Sequence, residues 1–277
     1  MKIRLGISTC PNDTFAFHAL LEGLVDNRGL EFEIQLMDIQ QLNQLLSAGA
    51  FDVAKASFHA AIKLAERMLV LPTGSALGFG VGPLLLSSAV GAMPTDQTQV
   101  TVCPGDDTTA TLLFHLFYPD STRLEQRVFS EIMPLLQSGY ADFGVCIHEG
   151  RFTWQEQGLH LVEDLGTRWE KETGCPLPLG GILACRSLPT EVLIKVQQCV
   201  ADSLAYARNC PEATLPTMRR HAQEFDDRVL MQHVHLYVNE WTVQLGDVGS
   251  RALAELTRRA HAAGILAADA SLNVLEI

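Results

Sequence analysis

The residue whose type and place best suit it to moving a proton is His148. It follows the apolar run 141–147 (ADFGVCI), which reads as a β-strand, and opens the loop His148-Glu149-Gly150-Arg151-Phe152. An imidazole there emerges at the carboxyl end of a strand, where open α/β sheets bind ligands. Its ordinary pKa, near ~6.5, matches proton transfer at neutral pH. A histidine held by hydrogen bonds at a strand end is the competing interpretation. Three other places share one local grammar, in which a strand ends, a small polar group follows and a helix begins. They are Ser8-Thr9-Cys10-Pro11-Asn12-Asp13-Thr14, Lys55-Ala56-Ser57 and Gly105-Asp106-Asp107-Thr108-Thr109. A helix start carries N–H groups without intrahelical acceptors and the positive end of the helix dipole, so three converging starts would make an anion site. Taken singly, Thr14, Ser57 and Thr108 read more simply as caps of their own helices.

Other polar residues carry less. Asp106 and Asp107 satisfy a helix dipole themselves and would repel an anion, so they read as solvent-facing. Lys55 and Arg151 are candidate counter-charges, although a lone basic residue is usually solvated. His233 and His235 lie two apart on a helical stretch and point to different faces, which makes a helix surface the simpler expectation and gives no metal site. Pro83 stands where the third glycine of a dinucleotide fingerprint belongs, and no phosphate-loop lysine follows the glycine run 78–82. No serine sits in a Gly-x-Ser-x-Gly elbow and no cysteine carries a nucleophile motif, so covalent catalysis is not expected. Cys146, two residues before His148, is on the same strand face and reads as packing.

These residues need a scaffold. At ~150 residues per domain, 277 residues predict one large domain or two modest ones. With 47% hydrophobic and 19% charged residues the chain can bury a core. A net charge of −12 disfavours nucleic acid as a partner. The longest apolar stretch, 81–90, is interrupted by Gly82 and Pro83, so no membrane segment is expected, and the N-terminus lacks the apolar core of a secretory signal, which points to the cytoplasm. Seven cysteines without a Cys-x-x-Cys pair read as reduced. Short apolar runs alternating with helical periods predict an α/β fold. Strands are expected at 3–8, 30–37, 51–56, 68–71, 82–88, 100–103, 127–130 and 141–147, with helices between them. From Pro189 onward the periodicity is helical, with helices at 191–208, 211–223, 228–244 and 249–263. Two extended runs, 82–88 and 176–187, suggest a double hinge between two lobes, with lobe 1 at 1–92 plus 184–277, lobe 2 at 93–183, and the helical tail packed on lobe 1. A small-molecule ligand belongs in the cleft between them; oligomeric state is left open.

The segments STCPNDTFAFHAL (8–20), GSALGFGVGPL (74–84), IHEGRFTW (147–154), LPLGGILA (177–184) and HVHLYVNEWT (233–242) occur in order over nearly the whole chain. Together they resemble the 1,4-dihydroxy-6-naphthoate synthases of the futalosine route to menaquinone. The resemblance implies a two-lobed, periplasmic-binding-protein-like (type II) fold without a cofactor. It implies a carbon–carbon lyase that converts cyclic dehypoxanthinylfutalosine to 1,4-dihydroxy-6-naphthoate. It also implies His148 as proton acceptor, with Lys55, Ala56, Ser57, Thr108 and Thr109 as substrate contacts; Asn12 lies in the first matching segment. The chain departs from the family at Phe79, where members often carry arginine. Chorismate dehydratase, of related fold, is the nearer alternative, although CPNDTF points away from it. A non-catalytic binder of a small organic anion is the alternative from another class.

Overall fold

The structure, a computed structural model, describes residues 1–147, 150–222, 226–266 and 271–276. Eleven strands are found among them: β1 Lys2–Ser8, β2 Glu31–Met37, β3 Val53–Ser57, β4 Met68–Val70, β5 Ala76–Gly78, β6 Leu84–Ser87, β7 Val100–Cys103, β8 Arg123–Gln126, β9 Phe143–Cys146, β10 His160–Asp164 and β11 Leu177–Cys185. They form two sheets. The first runs β2-β1-β3-β11-β4, with β5 also paired to β11; the second runs β10-β6-β9-β7-β8. In each sheet three neighbouring strands are parallel (β2, β1 and β3; β8, β7 and β9), and a strand from elsewhere in the chain joins them antiparallel, β11 on β3 and β6 on β9. This is the α/β, two-lobed architecture expected, and the crossover helices bury the sheet faces. Helix Ile39–Ser47 shows how locally the chain encodes this. Asp38 caps it by accepting from the Gln40 N–H at 2.8 Å, and Leu42 and Leu46 face the core. Leu42 lies so close to Gly6 of β1 that a side chain there would meet it at 2.8 Å.

Two segments cross between the sheets. The first leaves β5 at Gly78 and enters β6 at Leu84; the second leaves β10 at Asp164, runs through helix Leu165–Thr173 and enters β11 at Leu177. The crossings touch backbone to backbone, since a Cβ on Gly82 would lie 2.2 Å from the Gly166 Cα. Sheet membership moves the expected lobe boundaries. Residues 84–87, assigned above to lobe 1, belong to the second sheet, and residues 177–183, assigned to lobe 2, belong to the first. Both runs are apolar strands buried on both faces, and such runs look alike whichever sheet they join.

Other expectations shift for local reasons. The strand expected at 127–130 lies at Arg123–Gln126, a sheet-edge strand too polar for an apolar scan to find. The helix expected over 228–244 divides at Val238, and Asn239 starts the second piece with a capping box to Thr242. Helix Thr190–Asn209 packs on Pro11–Ala16 and His18–Leu21, where Ser203 Oγ donates to the Ala16 carbonyl and accepts from the Leu20 N–H. The last helix, Gly246–Ala262, is not confined to the first lobe. It also packs on Thr109–Phe117, and Arg259 pairs with Glu172 at 2.6 Å. No helix of the described residues is long and apolar enough to cross a membrane.

Candidate active site

The carboxyl ends of β1 and β3, the start of helix Thr109–Phe117 and the end of β9 surround a cleft of about 650 Å³, counting its open mouth. Asn12, Lys55, Ser57, Thr108 and Thr109 all line it. Ala56 does not. It sits between Lys55 and Ser57 on β3, so its side chain points to the opposite face and into the core. His148 lies outside the described residues; Ile147, immediately before it, lines the cleft.

The three helix starts serve different ends. Thr108 does cap its helix, its Oγ1 accepting from the Thr111 N–H and donating to the Gly105 carbonyl. The Thr109 hydroxyl donates to the Leu179 carbonyl of β11 at 2.7 Å and accepts from the His59 N–H, joining the lobes. Neither hydroxyl has its O–H left to donate to a ligand. What this start offers is the Thr109 and Ala110 N–H groups, which have no acceptor within their helix. Thr14 is no cap; its hydroxyl bonds back to the Cys10 and Pro11 carbonyls. Ser57 does not cap Phe58–Lys63 either. Its backbone N–H donates to Asn43 Oδ1 and its Oγ accepts from Asn43 Nδ2, so its own O–H is left to donate into the cleft.

Lys55 and Asp13 form a buried ion pair, Nζ to Oδ1 2.8 Å, with each side chain 5% exposed. Lys55 also donates to the Gly74 carbonyl. Asp13 gathers further donors: Ser8 Oγ on Oδ2, and Asn12 Nδ2 on Oδ1 at 2.9 Å. A buried charge needs such a set of partners. Arg151, the other candidate counter-charge, is turned to the hinge. It pairs with Asp164 at 2.7 Å and donates to the Gly82 carbonyl, tying the segment after β9 to both crossings. Asp106 is exposed, and Asp107 pairs with Lys63 across the lobes at 2.7 Å. Behind the cleft, His59 donates from Nδ1 to the Thr108 carbonyl; burial, then Lys63, pull its pKa down to about 4. Burial pushes the Cys146 thiol up to about 12, as suits a packing residue.

The chain matches the family model described as "Menaquinone biosynthesis" over residues 3–262. It is 41% identical to 1,4-dihydroxy-6-naphtoate synthase of Thermus thermophilus over 265 residues, covering 96% of each chain. The enzyme of that name from Streptomyces coelicolor is 39% identical, with 96% of this chain and 95% of that one covered. The chain belongs to the menaquinone-biosynthesis family. A crystal structure of a protein from Archaeoglobus fulgidus superposes with a TM-score of 0.90 at 30% identity, covering 96% of this chain and 98% of that one. The periplasmic aliphatic sulphonate binding protein of Escherichia coli superposes at 0.66 with 12% identity over 100% of this chain and 94% of its own, which shows the shared fold.

For a menaquinone-biosynthesis enzyme with a small-molecule substrate, two lining residues escaped the reading of motifs. His233, expected on a helix surface, is buried against the cleft, and its Nε2 lies 2.9 Å from Asn12 Oδ1. Tyr237, one turn on, lines it as well, its ring 4.5 Å from that of His233. Their spacing of four was the available signal, since it places both on one helix face. His235 points outward. Phe79 lies outside the described lining and packs edge-on to Trp241. Lys55 is the one lysine of the described lining, which contains no arginine.

Proposed function

We propose that this chain is a carbon–carbon lyase that converts cyclic dehypoxanthinylfutalosine to 1,4-dihydroxy-6-naphthoate, with His148 as the proton acceptor. The observation that carries the proposal is the interlobe cleft, which donors (Ser57, Asn12, Lys55 and the Thr109 and Ala110 N–H groups) line together with Ile147, one residue before His148. The names of the two close relatives supply the product.

In this mechanism His148 removes a proton from the sugar-derived part of the substrate; the electron pair released forms a carbonyl as a carbon–carbon bond breaks, the sugar-derived carbons leave as that carbonyl fragment, and the pair from the broken bond passes into the ring that becomes the aromatic naphthalene. Aromatisation supplies the driving force, so the protein must orient, deprotonate and exclude water. A positioned base contributes about 10²–10⁴-fold in rate. The Thr109 and Ala110 N–H groups receive the substrate carboxylate, and the Ser57 O–H donates to a hydroxyl or carbonyl oxygen. Orientation between two lobes adds to the base.

The purified protein incubated with cyclic dehypoxanthinylfutalosine should yield naphthoate, seen by absorbance and mass. His148→Asn should abolish turnover and keep substrate binding by calorimetry. Unchanged turnover in that variant removes His148 as the base. Binding of the substrate without its consumption by the wild type would instead support a non-catalytic binder, a role the fold also serves.

A further inference from the structure

We propose that His233 is a positioning residue that sets the orientation of Asn12 and, through it, the polar end of the cleft formed by Asn12, Asp13 and Lys55. This deepens, and rests on, the proposal that the cleft is the substrate site. Neither His233 nor Asp13 was among the residues expected to contact substrate.

The hydrogen-bond directions carry the inference. Asn12 Nδ2 donates to Asp13 Oδ1 at 2.9 Å, which identifies the other end of the amide as the carbonyl oxygen. His233 Nε2, 2.9 Å from that oxygen, is therefore the donor and carries the proton. A chain of fixed polarity results: His233 Nε2–H to the Asn12 carbonyl, Asn12 N–H to the Asp13 carboxylate, and the Lys55 ammonium on the same carboxylate oxygen. An amide can turn over at little cost in isolation, but here the turned form would set a carbonyl oxygen against a carboxylate and an N–H against an N–H. His233 thus fixes the second amide N–H of Asn12 as a donor beside the remaining N–H of Lys55. Both belong to residues that line the cleft. Two donors held in this way suit an oxygen-bearing group of the ligand and reject an apolar one, because an unmatched buried donor is costly. Helix Asp227–Tyr237 of the C-terminal tail thereby takes part in substrate selection.

The chemistry at the ring nitrogen defines the variants. His233→Gln can place an amide N–H near the Nε2 position, whereas His233→Leu keeps bulk and removes the donor. With cyclic dehypoxanthinylfutalosine, His233→Leu should raise KM about tenfold or more with kcat changed less than about threefold, and His233→Gln should recover most of the loss. Asn12→Leu should lose as much, and the double variant Asn12→Leu/His233→Leu no more than the worse single one, since the two residues act as one unit. A wild-type KM in His233→Leu, or losses that simply multiply in the double variant, overturns the positioning role alone. Absence of turnover by the wild type overturns the functional proposal, and this inference with it. A melting temperature near that of the wild type in His233→Gln, together with the KM split, separates positioning from a general loss of fold.

Discussion

Replacing Asp13 by Asn tests whether the polar end of the cleft is held by charge. The Lys55 ammonium and the Asp13 carboxylate are 2.8 Å apart, each with 5% of its side chain exposed. Removing the negative charge leaves the ammonium in a poorly hydrated place with neutral acceptors, the Gly74 carbonyl and the new amide oxygen, in place of a carboxylate. Breaking a buried pair from one side costs about 3–5 kcal/mol, whereas an exposed pair is worth about 0–1 kcal/mol. The two cases are therefore separable by experiment. For a chain of this length the buried case corresponds to a fall in melting temperature of order 10 °C, read by calorimetry or circular dichroism. Asp13→Leu with Lys55→Met removes both charges and should recover most of that stability, because the uncompensated ion is what is expensive. Activity should not return, since the donor to substrate is gone. A loss below about 1 kcal/mol in Asp13→Asn would show that the pair is solvated and would refute the assignment of a buried hub.

Two further outcomes are expected. His59 has its pKa lowered from the ordinary value to about 4 by burial, so between those values the unfolded chain binds the proton and the folded one does not. Stability contributed by the neutral ring is present above pH ~6.5 and is lost as pH falls toward 4. It amounts to about 2 kcal/mol between pH 7 and pH 5. The same denaturation measured on His59→Asn, which keeps a donor toward the Thr108 carbonyl, should show a shallower pH dependence; an equal slope would assign the effect to other groups. Gly82→Ala places a methyl group 2.2 Å from the Gly166 Cα, backbone against backbone. It should cost at least about 2 kcal/mol and depress activity by displacing the crossings. A melting temperature within 2 °C or so of the wild type would show that the hinge yields freely.

Much of the scaffold follows from local pattern. Apolar runs of strand length alternating with helical periods specify α/β layers, and the polar groups at strand ends mark where a site forms. Ser57 and Thr109 reach the cleft for that reason. The same pattern is silent about which sheet a strand joins, which is why Leu84–Ser87 and 177–183 exchange lobes: an apolar strand buried on both faces carries no label of its neighbours.

The identity of the site's architects is likewise a tertiary matter. A serine or threonine at a helix start looks the same whether it caps the helix, as Thr108 does, spans the lobes, as Thr109 does, or is held open by an asparagine, as Ser57 is by Asn43. Lys55 is a candidate counter-charge in sequence, but its burial against Asp13, 42 residues away in the chain, is not visible there. His233 meets Asn12 across 221 residues of sequence. A polar side chain shows its chemistry in sequence, but whether it is buried, and by what it is satisfied, depends on a partner brought near by folding.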